Sequence, residues 1–140
     1  MIYTDDHKIL KWIRLAGIPA TYLDTKDTPE ITSRAMFKSV TNYISSVCEN
    51  KVFINEYDEV KVLEKLYRIW PDLKSNKPLS ICSVCNRTLL PVRREEILNI
   101  LPSKVKIYCN EFNQCPGCNR LYWDGTHVQK IMNKIKKAME

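Results

Sequence analysis

Two short segments, "CSVC" at Cys82–Cys85 and "CPGC" at Cys115–Cys118, constrain the fold of this 140-residue chain more than any other feature. A Cys-x-x-Cys turn aims two thiolates at one point, and two such turns supply the tetrahedral sulfur set that zinc prefers. A segment tied in this way needs little apolar core of its own, because metal binding serves as folding energy. The 29 residues between the pairs exceed the roughly 15 to 20 of a compact ribbon and leave room for a helix and a strand. Four thiolates also close the coordination shell, leaving no position for an activated water. Cys82, Cys85, Cys115 and Cys118 are therefore expected to hold a structural Zn2+, with an iron–sulfur or thiol-redox role as the lesser alternative. The remaining cysteines, Cys48 and Cys109, read as small buried hydrophobes.

The net charge of +6 is unevenly spread: residues 1–72 carry −1 and residues 73–140 carry +7. A basic second half suits nucleic acid, an acidic protein or solubility alone. No apolar run approaches the roughly 18 residues that span a bilayer, and no secretory segment is visible. The expectation is a soluble, cytoplasmic protein without membrane contact.

The first half alternates strands and helices. "DDHKILKWIRLAG" places Ile9, Leu10, Trp12, Ile13 and Ala16 at helical spacing, capped by Asp5 or Asp6 and stopped at Gly17. "MIYT" before it, "PATYL" after it and "KVFIN" further on read as strands. "TPEITSRAMFKSVTNYISSV" reads as a helix through Ile31, Ala35, Val40, Tyr43, Ile44 and Val47, and "DEVKVLEKLYRIW" as another that Pro71 ends. The order β-α-β-α-β-α predicts an α/β fold, a small parallel sheet with flanking helices. "DLKSNKP" looks like a linker, dividing the chain into residues 1–74 and a metal module over residues 75–140. Within the module a helix is expected near "RREEILNIL", a strand near "KVKIYC", and an amphipathic helix from about His127 to Met139.

Several side chains around the knuckles suit RNA. Arg87, Arg93, Arg94, Lys104, Lys106, Arg120 and Lys130 can neutralise phosphates, while Tyr122 and Trp123 offer aromatic faces to unpaired bases. The alternative for Tyr122 and Trp123 is packing of the ribbon against the rest of the protein. His127 is read as a structural hydrogen-bonding or helix-start residue, or a phosphate contact, and not as a fifth ligand.

"CSVCN", "CPGCNRLYWDGTH", "LLPVRREEILNILPSKV" and "HKILKWIRLAGI" together resemble the Mut-seven C-terminal RNase family, in which a PIN-like nuclease domain precedes a zinc ribbon. The similarity is strongest from residue 80 onward and thins between Thr25 and Asn76. It implies a PIN-like α/β domain, shortened here, followed by a zinc ribbon and a C-terminal helix. It also implies a nuclease site in which carboxylates at strand ends hold Mg2+ or Mn2+ and activate a water on phosphate. Acids do follow the expected strands: Asp5 and Asp6, then Asp24 and Asp27, then Glu56 and Asp58. Asp5, Asp6, Glu56 and Asp58 are the candidate catalytic residues. Asp5, Asp27 and Asp58 also stand where helix caps belong. Ungapped matching to the family pattern puts Tyr3 and Tyr57 where strand-end aspartates are expected.

The function these features favour is a zinc-containing RNA-binding protein related to PIN-like ribonucleases, with a degenerate nuclease site, associated with ribosomal RNA or another ribonucleoprotein. An active divalent-metal-dependent ribonuclease is the alternative. A protein-interaction or toxin-like module, with a protein partner on the N-terminal domain, is a third class.

Overall fold

A computed structural model describes residues 2–4, 6–22, 43–45, 51–53, 58–103, 105, 109 and 111–140. The first strand, β1 (Ile2–Thr4), leads through α1 (His7–Leu15) into β2 (Ala20–Tyr22), which pairs parallel with β1. Asp6 caps α1 by accepting from the Ile9 amide at 3.0 Å. Gly17 follows its end with φ of +80°, where a Cβ would also collide with the Lys77 carbonyl oxygen. Glycine is the residue that meets both demands.

The sheet departs from the expected all-parallel form. Tyr43–Ser45, read from its spacing as the tail of a helix, is strand β3, antiparallel both to β1 and to β4 (Lys51–Phe53). The order is β2-β1-β3-β4. An aromatic and a β-branched residue side by side favour a strand, and pairing on both edges of β3 outweighs the helical spacing of Val40, Tyr43, Ile44 and Val47. The rest of that expected helix lies outside the described residues. Two reversals leave β4 pointing the same way as β1 and β2, so all three end at one edge of the sheet.

Next comes α2 (Glu59–Ile69), capped by Asp58 through the Val60 amide at 2.8 Å and ended before Pro71. The expected linker is a docked 3-10 turn, Pro71–Ser75, whose Leu73 packs on the core. The Asn76 side chain then donates to the Gly17 carbonyl at 2.9 Å, and the Leu79 amide to the Leu15 carbonyl at 2.8 Å.

A three-stranded antiparallel ribbon follows, β5 (Leu90–Val92), β6 (Phe112–Gln114) and β7 (Leu121–Trp123), in the order β5-β6-β7. Pro91 sits in an edge strand, where its missing N–H does the least harm. Between β5 and β6 the expected helix is a single turn, α3 (Arg94–Ile97), continued as a 3-10 turn over Leu98–Ile100. The strand expected near "KVKIYC" is corrected where it is described: Ser103 and Val105 are helical, and the Cys109 amide bonds the Val105 carbonyl at 3.0 Å, a helical turn. At Val105 local hydrogen bonding outweighs the β-propensity of a branched side chain, and Cys109 and Leu101 are buried beside Phe112, while residues 106–108 lie outside the described ones.

The chain closes with α4 (Thr126–Met139). Its Ile135 and Ala138 are buried among Ile13, Leu63 and Leu66 of α1 and α2. The last helix of the sequence is thus part of the first half's core. Glu59 at the start of α2 reaches both neighbours, pairing with Lys134 of α4 at 2.6 Å and Lys8 of α1 at 3.1 Å. Among the described residues no helix is long and apolar enough to cross a membrane.

Candidate metal centre

The four cysteines named from their spacing converge. One ligand sulfur from each of Cys82, Cys85, Cys115 and Cys118 lies within 4.8 Å of the others, and Cys82 and Cys118 stand 3.8 Å apart. A disulfide needs about 2.05 Å. A tetrahedron of sulfurs around an ion at about 2.3 Å has an edge of about 3.8 Å. The separation therefore matches an ion between thiolates and not a bond between sulfurs. Among the described residues this is the group of metal-ligating side chains that could hold an ion.

The two knuckles are built alike. The Cys82 and Cys115 amides donate to the carbonyls of Arg87 and Arg120, at 2.8 and 3.0 Å. In return the Asn86 and Asn119 amides bond the carbonyls of Cys82 and Cys115, each at 2.9 Å. Closing such a turn demands a left-handed residue after the second cysteine. Asn86 and Asn119 take it, with φ of 63° and 62°. Asparagine tolerates that conformation better than most residues. The repeated Cys-x-x-Cys-Asn-Arg thus encodes the turn twice.

Hydrogen bonds are donated to the sulfurs themselves. The Cys85 amide reaches Cys82 Sγ at 3.4 Å, the Gly117 amide reaches Cys115 Sγ at 3.3 Å, and Tyr122 Oη lies 3.1 Å from Cys82 Sγ. Tyr122 also accepts from the Ser83 amide at 3.2 Å. Its hydroxyl is therefore oriented toward the sulfur, and Tyr122 serves the ribbon's interior. Burial works against the Cys82 thiolate, but the bonds from Tyr122 and the Cys85 and Val84 amides outweigh it and bring its pKa down to about 6. Cys85 is pushed up to about 12, by its hydrogen bond with Cys118, by burial and by crowding from Cys115. Four thiols this close cannot all ionise unless a cation shares the space, which is what the donor set requires of a metal.

The first knuckle is clamped to the α/β half by a residue that the sequence reading passed over. Arg14 is 8% exposed. Its Nε donates to the Ala20 carbonyl at 3.0 Å, and its Nη1 donates to the carbonyls of Ser83 at 3.1 Å and Val84 at 3.0 Å. Asn86 Oδ1 completes the junction by accepting from the Ala20 amide at 3.0 Å. Burial lowers the Arg14 pKa, and the nearby Cys82 and Cys85 act in the opposite sense. The signal in the sequence was a charged residue on the apolar stripe of α1, between Ile13 and Gly17.

The other singled-out residues are dispersed. Arg87 and Arg120 hold the same place in the two knuckles and are exposed, with Arg87 lying across Gly117 of the opposite turn. Arg93 is exposed and pairs with Glu96 at 3.1 Å, while Arg94 is half-buried. Lys130 and His127 are exposed on the first turns of α4, and Trp123 is half-buried against the ribbon's core. Lys104 and Lys106 lie outside the described residues. So do Asp5, Asp24, Asp27, Glu56 and Cys48. Asp6 and Asp58 are helix caps at the sheet edge where β1 and β4 end. With β3 between them, those strand ends are about 10 Å apart.

Fold and site together define an α/β protein with an antiparallel ribbon whose four cysteines can hold a metal ion. The family follows from a comparison of the whole chain: the model for the Mut7-C RNAse domain matches residues 5–135, and the chain belongs to that family. The match runs through the stretch between Thr25 and Asn76 where the resemblance of motifs is thinnest. No curated protein and no solved structure matches the chain.

Proposed function

We propose that this protein binds RNA through its basic second half, with a zinc ion at Cys82, Cys85, Cys115 and Cys118 as a structural staple. What chiefly supports the reading is membership of an RNase-domain family combined with a closed four-sulfur site flanked by the exposed Arg87 and Arg120. Arg93, Arg94, Lys130, His127 and Trp123 add cations and an aromatic face elsewhere in the second half, and Lys104 and Lys106 add to its charge in the sequence. The metal supplies fold and not reaction, since four thiolates leave no open position. The α/β half is a scaffold and a surface for a protein partner, and the target is structured RNA such as that of a ribosome or another ribonucleoprotein. Reduced thiols suit the cytoplasm.

The nuclease site is degenerate in this reading. Asp6 and Asp58 are occupied as caps, and a shared ion needs its ligand oxygens within about 5 Å of one another. The test is binding of the zinc-loaded protein to structured RNA over a range of salt. Log affinity is expected to fall linearly with log salt, by about 0.7 to 0.9 per phosphate neutralised. Arg87→Ala and Arg120→Ala should each reduce that slope by about 1. Binding that is indifferent to salt would overturn the proposal.

One observation favours the second reading, an active metal-dependent ribonuclease: β1, β2 and β4 end at the same edge of the sheet, each followed by acids. RNA incubated with Mn2+ or Mg2+ decides between them, beside an Asp5→Asn/Asp58→Asn variant, in which Asp6 and an asparagine at position 58 still cap α1 and α2. Cleavage lost in the variant establishes the nuclease.

A further inference from the structure

A cleft of about 260 Å3 opens where the ribbon meets α4 and the end of α1. Its floor is apolar, formed by Leu15, Leu79, Val128 and Ile131, and Trp123 stands in its wall. Its polar lining is led by acceptors, the carboxylates of Glu111 and Asp124 and the amide of Asn113, with Tyr122 and His127 beside them. Leu79 takes part with a φ of 61°. A bulky residue in the left-handed region is strained, and such strain gathers at binding sites.

We propose that this cleft holds one unstacked RNA base whose edge is rich in N–H donors, guanine above all. The proposal rests on the RNA-binding reading and says how part of that binding is read. Three observations converge on it. The volume falls just below the roughly 300 to 1,000 Å3 of pockets for drug-sized ligands, which suits a single planar ring system. Its surface is apolar with an indole in the wall, the environment in which unstacked bases are held. Its exposed carboxylates, Glu111 and Asp124, repel phosphate and attract N–H groups, so the ligand part that enters is a base edge and not the backbone. Guanine alone among the common bases sets a ring N–H beside an exocyclic amino group, the pair a carboxylate can accept together. Phosphates on either side of the base would meet exposed cations outside the cleft, such as Lys130 and Arg120.

The experiment uses the full zinc-loaded chain and fluorescein-labelled hexauridylates carrying at one central position guanine, inosine, or an abasic site, with binding followed by anisotropy. The abasic hexamer is expected to bind about 5- to 150-fold more weakly than the guanine one, the range of base stacking on an aromatic wall. Inosine, which lacks the amino group, should fall between them. In a Glu111→Ala/Asp124→Ala variant, guanine and inosine hexamers should bind alike. Amide spectra of the variant confirm its fold. The Trp123 indole N–H resonance, assigned with Trp123→Phe, should shift on addition of the guanine hexamer. Equal affinity for all three hexamers, with structured RNA still bound in a salt-dependent way, overturns the base pocket and leaves the RNA-binding reading standing. No binding of any RNA overturns both. Displacement of the guanine hexamer by an arginine-rich peptide at equal charge, with the indole resonance following the peptide, assigns the cleft to a protein ligand and overturns the proposal.

Discussion

Arg14→Met tests whether one guanidinium joins the metal ribbon to the α/β half. The substitution keeps an apolar stem of similar length and removes three hydrogen bonds, to the carbonyls of Ala20, Ser83 and Val84 at 3.0, 3.1 and 3.0 Å. Their losses are unequal. Ser83 is half-buried and Val84 is 54% exposed, so those carbonyls can turn to water. Ala20 is fully buried at 0%, and its carbonyl loses a charged donor with no replacement. An unpaired buried acceptor costs about 1 to 3 kcal/mol. Two partly rehydrated bonds add about 0.5 to 1 kcal/mol each, and release of the guanidinium's own burial penalty returns about 1 kcal/mol. The balance is a destabilisation of about 1 to 4 kcal/mol, centred on about 2.5. For a chain of this size that corresponds to a fall in Tm of about 10 °C. Urea unfolding of the zinc-loaded protein reads it directly, as a lower midpoint with an unchanged slope. Arg14→Lys should recover less than half, because a compact ammonium cannot reach carbonyls on both sides of the junction. An unfolding free energy within about 0.5 kcal/mol of the parent protein would refute the clamp.

Three further outcomes are expected. Glu59 is held down to about 2 by its hydrogen bond from Lys134, against burial and with help from Lys8; a depressed carboxylate stabilises the fold above pH about 4.5, and the contribution fades as pH falls from there toward 2. With Lys8 and Lys134 largely in solvent, the difference in unfolding free energy between parent and Glu59→Gln should be about 1 to 2 kcal/mol at neutral pH and shrink toward zero at pH 2; a constant difference counts against the ion pair. Cys118→Ser, or stripping of the metal with a chelator, should collapse the amide spectrum of residues 81–125 while the helical signal of α1, α2 and α4 persists, and elemental analysis should find one zinc per parent chain. Asn119→Gly should change stability by a few tenths of a kcal/mol, whereas Asn119→Val should cost about 1 to 2 kcal/mol for a β-branched residue held at a φ of 62°.

The sequence disclosed most where spacing and chemistry coincide. Cys-x-x-Cys pairs fix which atoms meet whatever lies between them, so the metal centre was legible. So were α1 and α2, whose apolar stripes and caps agree, and α4, by its stripe alone. Tyr43–Ser45 was misread because three residues of strand cannot display a period of two against a longer helical spacing. The ribbon strands were missed for the same reason, each being three residues long and one containing Pro91. Arg14 could not be seen to meet Ser83 and Val84, nor Asn86 to meet Ala20, because contacts 66 or more residues apart leave no local trace. The placement of α4 in the first core was equally nonlocal. Its stripe shows that it packs, not on what.

The two knuckles share one turn but not one setting. Cys82 and Cys115 are wholly buried, and the first turn is pinned from behind by Arg14 and Asn86, while Cys118 stands in solvent at the rim of the second. Ligand exchange at such a centre is directional. With an ion held there, a chaperone thiol, a chelator or a peroxide would meet Cys118 first, while Cys82 and Cys115 are covered by the protein. A centre so built would have a door: the exposed Cys118 would govern how fast an ion comes and goes, and all four sulfurs how tightly it is held.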